Sequence, residues 1–189
     1  MLCTGVFLMF VILAFIQLGV TLGITCDDGS PAAIQVSTVY NGTEMGIWSC
    51  VGSSAALVST TTNITARSAE KLNLCPAKCT TLCRKPNQVL LDMQDCHDLA
   101  KYYADSGRFT VKGHQYMIWA YRTCKVTQYN HLDRDISYCY GHHNWAGTVD
   151  HITSKCRTKR HHNGGTCHFY DDSRSSSVIV VSPVLDSGS

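Results

Sequence analysis

Histidine and cysteine are the residues of this chain whose types and spacing most suggest chemistry. Seven of the nine histidines fall between His131 and His168, and the run Cys139-Tyr-Gly-His142-His143 places two of them close to a cysteine. Thiolates and neutral imidazoles are zinc ligands, but cysteines that are oxidised to disulfides leave only the imidazoles for a metal. We interpret these histidines as exposed loop residues, and we predict no metal site and no cofactor.

The histidines also make the charge of the chain depend on pH. With neutral histidines the net charge is +2, which favours neither nucleic acid nor a membrane surface as a partner. Imidazoles with an ordinary pKa of about 6.5 gain charge in a mildly acidic medium. The C-terminal half then becomes strongly basic, and we expect any binding by this half to change between about pH 7.5 and pH 5.

Catalytic motifs are not evident in the sequence. There is no G-x-S-x-G motif and no pair of carboxylates that suggests an acid and a base. His97, together with His114 or His151, could perform acid–base chemistry as in a ribonuclease. His97 beside Asp98 on a helix is more often a solvated pair, so we predict no catalytic residues and a protein that is not an enzyme.

The aromatic side chains are concentrated in the C-terminal half, where most alternate with polar residues and are expected in the core. Tyr140 and Trp145 stand next to His142 and His143. These four residues form the candidate ligand face, with the aromatic rings available to stack on a sugar. For each aromatic residue we favour burial in the core, with the stacking surface as the alternative.

The N-terminal residues predict export. Residues 2–22 are almost wholly apolar and uncharged, and Thr21 and Gly23 are the small residues that a signal peptidase favours. We therefore predict a signal peptide over residues 1–23, although about 20 apolar residues could instead anchor the chain in a membrane. The sequons at Asn41 and Asn63 predict glycosylation in the same compartment.

Ten cysteines follow the predicted signal peptide, and in an oxidising compartment an even number indicates five disulfides. Their pairing cannot be read from one sequence. The ten are Cys26, Cys50, Cys75, Cys79, Cys83, Cys96, Cys124, Cys139, Cys156 and Cys167.

Three of these cysteines recur at a helical spacing. Cys75, Cys79 and Cys83 stand at i, i+4 and i+8, and Pro76 suits a first helical turn. The spacing predicts a helix with three sulfurs along one face. Because the Cβ vectors of i and i+4 residues are poorly aimed for a disulfide, we expect all three cysteines to pair with other segments.

The character of the chain changes near residue 86. Residues 24–86 are a cysteine-bearing region rich in serine and threonine, residues 87–183 are the predicted core, and residues 184–189 are a loose tail. The core has a helical period from Leu91, a second one from Asn144, and strand-like runs between and after them. This order predicts an α+β fold, a disulfide-stabilised α/β sandwich whose antiparallel or mixed sheet carries two main helices on one face.

Four short motifs in the core resemble a known family. Asp95-Cys96 opens a helix, and Gly107-Arg-Phe-Thr-Val111, Tyr121-Arg-Thr-Cys124 and Gly164-Gly-Thr-Cys167 follow it. This pattern, over about residues 90–182, resembles the small secreted fungal effectors described as homologues of a necrosis-inducing factor. Those proteins are similar in structure to the killer toxins of smut fungi, so the resemblance implies a secreted, disulfide-bonded α/β sandwich.

Three functions follow as expectations. The first is a secreted, cysteine-rich effector or toxin-like protein, a monomer that binds an extracellular protein, glycan or membrane-surface target and no nucleic acid. The second is a glycan-binding module that uses the candidate ligand face. The third is a small secreted hydrolase that depends on His97 or His142.

Overall fold

The computed structural model describes residues 23–51, 71–84, 91–156, 164–169 and 177–184. The predicted signal peptide, except for Gly23, and the predicted loose tail, except for Val184, lie outside the described residues. So do the sequon at Asn63 and the strand-like run 55–61.

The described residues form ten strands and two helices. The strands are β1 (Ala33–Tyr40), β2 (Thr43–Val51), β3 (Leu72–Asn73), β4 (Cys79–Cys83), β5 (Arg108–Val111), β6 (Gln115–Tyr121), β7 (Cys124–Asn130), β8 (Ile136–Cys139), β9 (Gly165–Phe169) and β10 (Ser177–Pro183). The helices are α1 (Met93–Tyr103) and α2 (Trp145–Lys155).

The strands form two sheets. The larger has seven strands in the order β1-β2-β6-β7-β10-β9-β4, and every neighbouring pair in it is antiparallel. The smaller has the order β3-β8-β5, with β3 parallel and β5 antiparallel to β8. The protein is therefore mostly antiparallel sheet with two helices and several disulfides. The sequence predicts this general architecture.

Helix α1 begins where the sequence predicts. Asp92 is its N-cap, and the carboxylate of Asp92 accepts a hydrogen bond from the Gln94 main-chain N–H at 2.9 Å. The buried carboxylate of Asp95 accepts hydrogen bonds from both the N–H and the hydroxyl of Thr123. These bonds fix the first turn of α1 to the turn between β6 and β7.

Helix α2 also follows the predicted pattern. It begins after Asn144, and Trp145, Val149 and Ile152 are all buried on one face. Asparagine is a favoured N-cap residue, so the sequence predicts that Asn144 caps this helix. It occupies the N-cap position, but its side chain makes no capping hydrogen bond.

Both faces of the larger sheet are covered. Along β6, Trp119 and Tyr121 belong to the larger core cluster, whereas Tyr116, Ile118 and Ala120 belong to a second, smaller cluster. Successive side chains of a strand point to opposite faces, so these two clusters lie on the two sides of the sheet.

Residues 75–83 do not form the helix that the cysteine spacing predicts. Cys75 and Pro76 are joined by a cis peptide bond in a turn, and Cys79–Cys83 is the edge strand β4, paired with β9. The β-branched residues Thr80 and Thr81 suit a strand, and the ladder to β9 supplies the main-chain hydrogen bonds that a helix would have made internally.

Five disulfides confirm the predicted number, and the three closely spaced cysteines pair with distant segments as expected. The bonds are Cys26–Cys50, Cys75–Cys139, Cys79–Cys167, Cys83–Cys156 and Cys96–Cys124. Three of the five join residues on opposite sides of residue 86. Strands from both sides of this position also share one sheet, because β2 pairs with β6 and β4 pairs with β9.

The helices contact each other and different parts of the larger sheet. Helix α1 lies against β6 and β7, and helix α2 lies against β4, β9 and β10. Within the described residues, no helix combines the length and the apolar character that crossing a membrane requires.

Candidate functional site

An open groove lies beside the N-terminal half of α2. Its volume is about 550 Å³, and the loop before β4, the turn before α2 and the first two turns of α2 supply most of its walls. We call it the histidine groove. Its lining residues are Pro76, Ala77, Lys78, Cys79, Thr81, His142, His143, Asn144, Gly147, Thr148, His151 and Cys167.

The charged and titratable side chains of the groove all carry or can acquire positive charge. His142 and His143 come from the turn before α2, His151 comes from α2, and Lys78 comes from the loop before β4. All four residues are exposed. The described lining residues include no aspartate or glutamate, so a ligand in the groove meets cations without a competing carboxylate.

The positive end of the α2 dipole adds to this charge. Asn144 gives the first turn no side-chain cap, and that turn contains no acidic residue. Unsatisfied N–H groups make a helix N-terminus positive by roughly half an elementary charge. Asn144, Gly147 and Thr148 at this end all line the groove.

Short main-chain hydrogen bonds hold the turn that carries His142 and His143. The Asn144 N–H donates to the Gly141 carbonyl at 2.8 Å, and the Ala146 N–H donates to the Tyr140 carbonyl at 2.9 Å. The disulfides Cys75–Cys139 and Cys79–Cys167 connect the loop before β4 to the neighbouring strands. The two walls of the groove are therefore covalently fixed relative to one another.

The structure separates the members of the candidate ligand face. His142 and His143 are exposed and line the groove, but the exposed fractions of Tyr140 and Trp145 are 4% and 0%. Their burial agrees with the favoured core interpretation and leaves neither ring open to stack on a sugar. The physical reason is core packing, since the Trp145 ring lies 4.9 Å from that of Trp119 and 5.5 Å from that of Tyr140.

Lys78, Thr81 and the apolar pair Pro76-Ala77 are groove residues that the sequence does not indicate. They reach the histidines because Cys75 and Cys79 bond to Cys139 and Cys167. The sequence leaves this pairing open, so no spacing in it could have placed Lys78 beside His142.

Two histidines outside the groove lining, His97 and His114, lie close to carboxylates. The Nδ1 atom of His97 on α1 is 2.8 Å from a carboxylate oxygen of Asp150 on α2, so its partner is not the adjacent Asp98. The Nε2 atom of His114 is 2.6 Å from Asp133. Each histidine forms an exposed or half-buried ion pair when protonated.

The described residues contain no group of three or more metal-ligating side chains placed to hold an ion. All ten cysteines after the predicted signal peptide are in disulfides, and oxidised sulfur is not a thiolate ligand. His161 and His162 lie outside the described residues.

A second cavity, of about 290 Å³, lies beside the N-terminal segment. Its lining includes Asp27 and Lys125, and burial lowers the pKa of the Lys125 ammonium. The Asp27 carboxylate accepts a hydrogen bond from the Tyr129 hydroxyl at 3.0 Å. This cavity holds fewer cationic side chains than the histidine groove and is half its size.

No protein-family model, curated protein or solved structure matches this chain. The fold and the groove define a small disulfide-rich protein, built mostly of antiparallel sheet with two helices, that presents an open, cationic, histidine-lined surface.

Proposed function

We propose that this is a secreted, disulfide-stabilised protein of the effector or toxin-like kind, which acts by binding an extracellular target through the histidine groove. The groove itself carries this proposal, because exposed imidazoles and an ammonium group converge on one rigid, open surface. The five disulfides support an oxidising compartment.

The state of the groove hydroxyls favours binding over catalysis. The Thr81 hydroxyl contacts the Cys167 sulfur at 3.6 Å, and the Thr148 hydroxyl contacts that of Tyr138 at 3.3 Å. Neither contact activates an oxygen as a nucleophile, which would require a hydrogen bond to a base. A surface that is already rigid loses little conformational entropy when it binds, which suits a recognition role.

The proposed scaffold is the α/β sandwich in which both helices pack on one face of the larger sheet. The larger core cluster supports it, because that cluster combines Leu99 of α1, Val149 of α2 and Trp119 of β6. The smaller cluster on the other face includes Ile24 and Cys26 from the N-terminal segment. This scaffold places the half-buried residues Asn144, Gly147 and Thr148, at the N-terminal end of α2, in the wall of the histidine groove.

Binding to defined extracellular probes tests the proposal. The disulfide-bonded protein would be applied to a glycan array, to an array of extracellular-matrix proteins and to vesicles of neutral and of anionic phospholipid. We expect one class of probe to bind the wild type but not the variant H142Q/H143Q/H151Q. The matched control is His131→Gln, because His131 is exposed but lies outside the groove lining.

Two results would contradict the proposal. Equal binding by the triple variant and the wild type would show that the groove is not the contact surface. A hydrolytic turnover that His142→Gln abolishes would make the protein an enzyme.

A further inference from the structure

We infer that the ligand of the histidine groove is an acidic sugar, held by its carboxylate or sulfate group and bound more tightly as the imidazoles become protonated. This inference rests on the proposed function and specifies the chemistry of the target.

The charges around the groove favour an oxyanion. Lys78, His142, His143 and His151 line it, and the carboxylate nearest in sequence, Asp150, pairs with His97 on α1. Helix α1, which packs against α2, carries two further carboxylates. Asp95 lies 3.7 Å from the Arg122 guanidinium, and Asp98 accepts a hydrogen bond from the Gln94 amide.

On α2 and β9 themselves, the titratable groups not yet named are Lys155 in the last turn of α2 and His168 on β9. The Nε2 atom of His168 lies 3.2 Å from the Thr166 hydroxyl. Strand β4 contributes no charged side chain, since its sequence is Cys-Thr-Thr-Leu-Cys. The positive end of the α2 dipole favours the same sign of ligand charge, although the Ala146 N–H at this end already donates to the Tyr140 carbonyl.

The rest of the lining indicates a sugar rather than a lone ion. A volume of about 550 Å³ is in the range of sites for small organic ligands, far larger than one sulfate requires. Asn144 and Thr148 offer polar groups that suit sugar hydroxyls, and Pro76 and Ala77 offer an apolar surface for the C–H face of a sugar ring. An acidic peptide would also supply negative charge, but it lacks the hydroxyls and the C–H face of a sugar ring.

Protonation gives the site its expected pH dependence. The groove has one fixed cation, Lys78, and three imidazoles. Imidazole is the kind of side chain that ordinarily changes charge between about pH 5 and pH 8. Sulfate esters stay ionised at pH 5, as does a carboxylate with an ordinary pKa of about 3.9. Lower pH therefore adds positive charge to the groove without removing charge from the ligand.

Calorimetric titration of the disulfide-bonded protein tests the inference. The probes are a sulfated oligosaccharide, an oligogalacturonate, a neutral oligosaccharide of equal length, sodium sulfate and hexaglutamate. We expect one acidic oligosaccharide to bind about tenfold more tightly at pH 5 than at pH 7.5, since exposed ion pairs contribute modestly. The neutral sugar should bind measurably less at both pH values.

Two variants separate the fixed charge from the titrating ones. H142Q/H143Q/H151Q should abolish the pH dependence, whereas Lys78→Gln should weaken binding by the same factor at both pH values. His131→Gln and Lys101→Gln are the controls, because both residues are exposed and lie outside the groove lining.

The outcomes distinguish this inference from the proposed function. If sodium sulfate or hexaglutamate binds as tightly as the acidic sugars, or a neutral sugar binds equally, the acidic-sugar assignment is wrong. If no acidic sugar binds while another extracellular probe still depends on the groove histidines, only the inference fails. If a probe binds the triple variant unchanged, the proposed function fails with it.

Discussion

The main-chain carbonyl of His142 lies so close to Gly147 that a β-carbon on that glycine would overlap its oxygen. Gly147 stands in the first turn of α2, and both residues line the histidine groove. The absence of a side chain at Gly147 therefore allows the histidine-bearing turn to pack against the helix.

The first prediction is that Gly147→Ala moves this turn and weakens ligand binding about tenfold or more, because the carbonyl and the preceding backbone must shift. Alanine favours a helix over glycine by about 1 kcal/mol, so the free energy of unfolding should fall less than the overlap alone implies. Binding and thermal unfolding are measured together. Gly141→Ala is the control, since a β-carbon there would lie 3.5 Å from the Asn144 amide, an ordinary contact. Unchanged binding in Gly147→Ala would refute the argument.

Local patterns in the sequence predict the regular elements well. The strand-like run Ala33–Tyr40 predicts a strand, and Asn41-Gly42 predicts a turn after it. Both occur, as do the two predicted helices. Each depends on signals within a few residues, such as alternation, a cap or two turn residues with positive φ. The stretch Gln115–Tyr129 predicts one long strand with a bend or bulge. The structure instead has the hairpin of β6 and β7, with Arg122 at a φ of 48° in the turn.

Features that depend on distant contacts could not be predicted in the same way. The helical spacing of Cys75, Cys79 and Cys83 is overridden by pairing of β4 with β9, which lies over 80 residues away in the chain. The groove combines segments that those disulfides join. Predicting which residues line it would therefore have required knowledge of the cysteine pairing. The burial of Trp145, by contrast, agrees with the helical period that places it on one face with Val149 and Ile152.

The second prediction concerns Gly46 in β2. A β-carbon at Gly46 would lie 2.5 Å from the ring of Trp48, which is buried on the face of the smaller core cluster. Gly46→Ala should force that ring to move and lower the free energy of unfolding by about 1–3 kcal/mol. Urea unfolding and tryptophan fluorescence measure the two effects. Ser49→Ala on the same strand is the control, and equal stability of the two variants would show that the ring adapts without cost.

The third prediction concerns the buried side chain of Asn130, which joins the two sheets. Its amide nitrogen donates to the carbonyls of Val111, Lys112 and Arg134, and its oxygen accepts from the Leu132 N–H. Asn130→Ala removes all of these hydrogen bonds, although the Lys112 carbonyl keeps the Gln115 N–H as a partner. The change should cost about 1–3 kcal/mol.

Asn130→Asp should be worse, because a carboxylate cannot donate to three carbonyls and its charge would be buried. Urea unfolding of both variants gives the measurement, with the exposed neighbour His131→Gln as the control. If the alanine variant matches that control, solvent must replace the lost hydrogen bonds.

The fourth prediction is a loss of stability in alkali. Burial raises the pKa values of Tyr138 and Tyr140 to about 12, although hydrogen bonds with Thr148 and Trp119 partly oppose the shift. In the unfolded chain a tyrosine ionises near pH 10, so above that pH the unfolded state loses protons first and is favoured. Each tyrosine should lower the free energy of unfolding by about 1 kcal/mol at pH 11.

Urea unfolding at about pH 9, 10 and 11, with phenolate absorbance, measures this effect. Tyr138→Phe removes one of the titrating groups and should make the decline with pH shallower. A wild-type stability that stays constant up to pH 11 would mean that these hydroxyls are not buried in the folded protein.

The fifth prediction is the disulfide pairing, on which the groove depends. Under non-reducing conditions trypsin can cut after Lys78 and chymotrypsin after Leu82, which places Cys75, Cys79 and Cys83 on three separate peptides. Mass spectrometry should then find them bonded to peptides that contain Cys139, Cys167 and Cys156, respectively. A bond between any two of the three closely spaced cysteines would remove the link that holds Lys78 beside the histidines. Replacing Cys79 and Cys167 by serine should lower the free energy of unfolding by about 2–5 kcal/mol and weaken groove binding, because this bond fixes one wall to the sheet.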